Sequence, residues 1–178
     1  MARDGIGREL AGKRFLITGG GTGIGAATAE LAASRGMKVM VTGRRAEPLQ
    51  AMVDRIRSRG GEAVHHVGDV AERDASEAAL QATRDAWGGV DAVFANAGYG
   101  IEKPVLETDE DDLRRIFEVN VFAAVDLLRR SGVMMREDGG GGHLLGCSSI
   151  LGKFTLPGYG LYSSTKAALT HVCRSMRT

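Results

Sequence analysis

The chain has 178 residues, 43% of them hydrophobic and 25% charged, enough for one compact α/β domain and too few for two comfortable ones. Its 23 basic and 22 acidic side chains are interspersed to a formal net charge of +1, which leaves no electrostatic footprint for nucleic acid or an anionic membrane. The N-terminus, residues 1–7, lacks the apolar core of a signal peptide and no run reaches the length of a membrane span, so a cytoplasmic protein is expected.

The first predicted strand is the apolar run 15–18. It leads into Thr18-Gly19-Gly20-Gly21-Thr22-Gly23-Ile24-Gly25 and then an Ala-rich amphipathic segment, the order strand, tight turn, helix that a phosphate-binding βα unit requires. Glycines tolerate positive φ, so such a run also suits a plain surface turn. Its position before a helix N-terminus, where free N–H groups and the helix dipole attract anions, favours a binding role.

Further strands are expected at 39–42, 63–67, 90–95 and 143–148, short apolar runs with little alternation, as in parallel strands covered on both faces. Between them Leu49, Met52, Val53 and Ile56 recur at helical spacing, as do Ala75, Ala78, Ala79, Ala82 and Ala86. A longer helix carries Leu113, Ile116, Phe117, Val121, Ala124, Leu127 and Leu128, with Thr108 or Asp109 as N-cap. Right-handed crossovers turn this alternation into a doubly wound parallel sheet in one domain, with the glycine turn at its switch point and sites at the carboxyl ends of the strands. Gly139 to Gly142 reads as a loop, and Cys147 and Cys173 show no metal-ligand spacing, so no metal is expected.

The strand ends are therefore read one by one. The second ends in Thr42-Gly43-Arg44-Arg45, where an acid would bind the ribose diol of NAD; the two guanidinium forks suit a 2′-phosphate instead, which favours NADP over NAD. After the third, Gly68-Asp69-Val70 presents Asp69 either as a helix cap or as a partner for an adenine amino group. The fourth ends in Asn96-Ala97-Gly98, equally a structural turn or a polar contact with room for a ligand. Asn120 interrupts an apolar helix face, and stitching the backbone is the reading its burial favours over service in a site. Tyr162 and Lys166 are four apart, which puts both on one helix face. An ammonium beside a phenol favours the phenolate, so the pair makes a sensible proton donor, although an exposed pair on a solvated helix has the same spacing. Ser148 and Ser149 end the fifth predicted strand and approach the same place.

Taken together these residues resemble the short-chain dehydrogenase/reductase family, common oxidoreductase branch, from about residue 12 to the end. The family's Thr-Gly-x-x-x-Gly-x-Gly turn matches Thr18, Gly19, Gly23 and Gly25, with Gly21, Thr22 and Ile24 inside it. Asp69 with Val70, then Asn96-Ala97-Gly98, Asn120, Ser149, Tyr162 and Lys166 match its further motifs in order, and Ala95 departs from a frequent Asn. The resemblance implies a Rossmann sheet in order 3-2-1-4-5 and a small carbonyl or alcohol as substrate of NADP-dependent hydride transfer. It further implies Tyr162 as acid/base, Lys166 on the nicotinamide ribose, Ser149 on the substrate oxygen and Asn120 holding a water. Members usually continue past the position of Thr178, so a C-terminally truncated chain without strands 6 and 7 is expected, with homo-oligomers at full length. A non-catalytic nucleotide-binding or interaction domain is the alternative. Segments 99–107 and 151–160 are expected to line part of the pocket.

Overall fold

The computed structural model describes residues 10–176. The N-terminal heptapeptide and Thr178, which carry the expectations about a leader and about the chain's end, lie outside the described residues. The elements run β1 (Arg14–Thr18), α1 (Gly23–Ser34), β2 (Lys38–Gly43), α2 (Ala46–Ser58), β3 (Glu62–Val67), α3 (Ala75–Trp87) and β4 (Ala92–Ala95). Then follow α4 (Glu110–Phe117), a π-helical turn (Glu118–Phe122), α5 (Ala123–Glu137), β5 (His143–Gly146) and α6 (Gly160–Ser175). The strands form one parallel sheet in the order β3-β2-β1-β4-β5. The expected order is met, and β1 lies between β2 and β4, so the connections that leave β1 and β4 diverge to opposite sides of the sheet beside the glycine turn.

Unbroken apolar strands arise because both sheet faces are covered. Along β1, Phe15 and Ile17 point to one face, where Val39 and Val41 join Leu49, Met52, Val53 and Ile56 of α2. Leu16 points to the other, with Met40, Val93, Leu80 of α3, Leu127 and Leu128 of α5 and Leu169 of α6. Burying one such side chain contributes about 1.5–3 kcal/mol, so the two layers dominate folding. Ala29, Ala32 and Ala33 bring the C-terminal half of α1 close to the sheet.

At the amino ends of the strands, opposite the site, Arg14 clamps β1 to the residue preceding β4. Its Nε and Nη2 donate to Asp91 Oδ2 and Oδ1 at 2.8 and 3.0 Å, and its backbone N–H donates to Oδ2 at 2.7 Å. The Arg14 hydrogen bond holds the Asp91 carboxyl below its usual range against the opposing pull of burial.

Several expected details are corrected. β4 begins at Ala92, because Val90, though 2% exposed, lies ahead of the ladder. β5 ends at Gly146, since Ser148 turns its N–H back to the Gly146 carbonyl at 3.1 Å. The buried stripe of α3 is Ser76, Ala79, Leu80 and Thr83, while Ala78 and Ala86 are exposed. Leu113 is 43% exposed. The single long helix expected over this region is broken by the π turn at Asn120. Of the two N-cap choices, Asp109 serves, accepting from the Asp112 N–H at 2.8 Å. Among the described residues no helix is long and apolar enough to cross a membrane.

Candidate active site

The glycine turn is built for close approach. Gly19 has φ +65 and a Cβ there would lie 3.0 Å from Asn96 Nδ2; a Cβ on Gly25 would strike the Gly19 carbonyl oxygen. Thr18 Oγ1 accepts from the N–H groups of Asn96 and Ala97, both at 3.0 Å, and Asn96 Nδ2 donates to the Thr18 carbonyl at 2.9 Å. The ends of β1 and β4 are thereby locked together through Asn96.

Helix α1 starts with Thr22 as N-cap, yet no side chain caps it and no acid stands in its first turn. Its first N–H groups have no side-chain cap among the described residues. Helix α4 is the contrast: Asp109 caps it and Glu110, Asp111 and Asp112 fill its first turn.

A cleft of about 890 Å³ runs along the carboxyl ends of the strands. Gly19, Gly21, Thr22, Gly23 and Ile24 form its middle, Arg44, Arg45, Asp69 and Val70 one end, and Ser149, Tyr162 and Lys166 the other, with Asn96, Ala97 and Gly98 between. Thr18, Gly25 and Asn120 stand outside the lining and support the wall from behind.

Asn120 is 1% exposed and its amide is occupied: Oδ1 accepts from the Tyr99 N–H at 3.0 Å, and Nδ2 donates to the Tyr99 carbonyl at 2.8 Å and to Thr165 Oγ1 at 3.1 Å. It stitches the segment after β4 to α6. The π turn re-aims it between these partners.

Lys166 is 4% exposed, and its Nζ donates to the Cys147 carbonyl at 2.8 Å and lies 5.7 Å from the Tyr162 ring centroid. Burial pushes its pKa down. The pair is thus no solvated helix surface but a cleft wall, and a Cβ on Gly98 would come 3.3 Å from Lys166 Nζ. Of the two serines, Ser148 spends its hydroxyl on the Lys166 carbonyl and on Thr170. Ser149 caps the short turn Ile150–Gly152 through the Leu151 N–H and faces the cleft.

At the Arg44 end, Asp69 is not a helix cap. Its Oδ1 accepts from the Ala71 N–H at 3.1 Å and its Oδ2 from Arg115 Nη2 at 2.6 Å, while α3 starts only after Asp74. Burial would raise its pKa, but the Ala71 N–H, the Arg115 guanidinium and the charge of Arg44 hold it below the usual carboxylate range. Arg115 and Pro48 line the cleft without having been singled out from sequence. Tyr99 and Gly100, from the expected pocket segment 99–107, also line it.

The family model described as short chain dehydrogenase matches residues 13–178. The chain belongs to the short-chain dehydrogenase family. Its relatives include an uncharacterised oxidoreductase of Listeria monocytogenes, 30% identical over 94% of this chain and 67% of that protein. Among solved members, a short chain dehydrogenase/reductase from Burkholderia phymatum in complex with NAD superposes with a TM-score of 0.91 at 30% identity, covering 94% of this chain and 60% of that one. A metagenomic short-chain oxidoreductase in complex with NADP gives 0.88 at 32% identity, covering 93% and 75%. The chain thus spans 60–75% of the length of these family members.

Proposed function

We propose that this short-chain dehydrogenase is an NADP(H)-dependent oxidoreductase that interconverts a ketone or aldehyde and the corresponding alcohol, with Tyr162 as acid/base. The observation that carries the reading is the single cleft in which an uncapped helix N-terminus, a pair of guanidinium groups and the Tyr162 and Lys166 pair succeed one another. The donor set fits a dinucleotide. Free N–H groups of α1 suit a pyrophosphate, and the exposed Arg44 and Arg45 suit a further phosphate on the adenosine ribose. Among the described residues Asp69 is the one carboxylate in the lining, against Arg44, Arg45, Arg115 and Lys166, so the wall attracts a polyanion.

A nicotinamide bound at the far end supplies the hydride. The Tyr162 phenol then gives its proton to the carbonyl oxygen in reduction and takes it back in oxidation. Lys166, held by the Cys147 carbonyl, presents its ammonium to the Tyr162 ring, 5.7 Å from the centroid. The Ser149 hydroxyl is oriented to donate to the same substrate oxygen, and Asn120 fixes the wall between them.

Tyr162→Phe is expected to abolish NADPH oxidation with a panel of ketones while leaving the NADPH affinity of the same chain within about twofold, since a phenyl ring keeps the packing. Retention of most of the turnover would remove Tyr162 from the mechanism. Binding without turnover in the unsubstituted chain would favour a nucleotide-binding domain without catalysis.

A further inference from the structure

The Arg44 end of the cleft holds an arrangement that phosphate recognition alone does not require. Arg115, on α4, reaches across to the loop after β3 and donates to Asp69 Oδ2 at 2.6 Å, a contact between residues 46 apart in sequence. Both side chains line the cleft, and Asp69 is the only carboxylate among the described residues that does. Arg44 lines the same cleft, and the charges of both Arg115 and Arg44 act on Asp69.

A carboxylate in that position opposes what the arginines favour. It would repel a 2′-phosphate held at Arg44 and would weigh less on a cofactor without that phosphate. The Arg115 and Asp69 side chains are 45% and 23% exposed, so the pair adds little to folding, typically about 0–1 kcal/mol for a partly solvated pair. Its effect on a neighbouring anion is direct. With the guanidinium in place the two charges cancel; without it a full negative charge stands in the same cleft lining as Arg44.

We infer that Arg115 is a positioning residue for cofactor choice, which by pairing with Asp69 masks the one acidic group of the cleft and so preserves selectivity for the 2′-phosphorylated dinucleotide. The inference rests on the NADP reading above. Arg115 acts through Asp69 and needs no contact of its own with the cofactor. Asp69 keeps its second oxygen on the Ala71 N–H, so the loop stays shaped whichever partner holds the first.

The test is calorimetric titration of the full chain with NADPH and with NADH, at 0.05 and 0.5 M salt, in five forms: unsubstituted, Arg115→Ala, Arg115→Lys, Arg115→Ala with Asp69→Asn, and Arg44→Ala. The affinity ratio of NADPH to NADH is expected to fall by roughly fivefold in Arg115→Ala at low salt, and by less at high salt, where charges are screened. Arg115→Lys restores most of it. Adding Asp69→Asn to Arg115→Ala also restores it, because the amide can still accept from Ala71 without carrying charge. The urea midpoint of the ligand-free chain serves as the folding control in each variant. A ratio unchanged in Arg115→Ala while Arg44→Ala destroys it overturns the masking role and leaves the NADP reading standing. So does a loss that Asp69→Asn fails to repair, which would assign Arg115 to the phosphate itself. A ratio indifferent to Arg44→Ala overturns the NADP reading, and the masking role falls with it.

Discussion

A methyl group on Gly25 would collide with the Gly19 carbonyl oxygen and lie 2.7 Å from Asn96 Nδ2, the atom that ties β4 to β1. Gly23 is needed for another reason: it has φ +56 with open space around it, so only its backbone conformation calls for glycine. Gly25→Ala is therefore expected to cost about 1–3 kcal/mol, read from the urea midpoint, with weaker NADPH binding because the Asn96 contact moves. A variant with an unchanged midpoint would show that the turn relaxes freely. The sequence pattern identified the turn but not this division of labour, which depends on a residue 71 positions downstream. Arg115 was illegible for the same reason. Its neighbour Arg114 makes a local ion pair with Glu110, four residues back, and adjacent arginines in an acidic helix look alike until the fold supplies Asp69 to one of them. Tyr162 and Lys166 were legible because their spacing is helical and both ends of the relation lie in one element.

At the scale of elements, β1 and β2 were readable almost to the residue, since strands covered on both faces leave uninterrupted apolar runs. Apolar character failed as a guide at Val90, which is buried without belonging to the ladder, and in α3, where alanines occur on every face and the packed stripe includes Ser76 and Thr83. Thr83 is buried at no polar cost because its hydroxyl donates to the Ala79 carbonyl at 2.8 Å. The π turn left no periodic signal, for Phe117, Val121 and Ala124 keep a helical spacing through it. The clamp between β1 and the start of β4 belongs to this scale too. The Asp91 pKa is lowered in the folded chain, so its contribution to stability is complete above the ordinary carboxylate value of about 4 and is lost as pH falls through the folded value. Asp91→Asn should therefore lower stability by about 1–3 kcal/mol at pH 7, and the gap to the unsubstituted chain should shrink toward pH 2 in urea titrations. A gap of the same size at both pH values would mean that the clamp does not depend on charge.

Across the whole molecule, the sheet is firm where β1 is flanked on both sides and lighter toward β5, whose only partner among the described residues is β4. The His143 N–H donates to the Asp91 carbonyl and the Cys147 N–H to the Ala95 carbonyl, so by the alternation of a parallel ladder the Leu144 and Gly146 N–H groups face away from β4. Amide exchange is expected to be at least about tenfold faster at Leu144 and Gly146 than at Leu16 and Ile17, the signature of edge opening rather than global unfolding. Equal protection would mean that this edge is covered. The strand leads at once into Cys147, Ser148 and Ser149, the wall that receives Lys166 and closes one end of the cleft. Exchange at Leu144 and Gly146 therefore also reports on the stiffness of the wall that holds Lys166 in place.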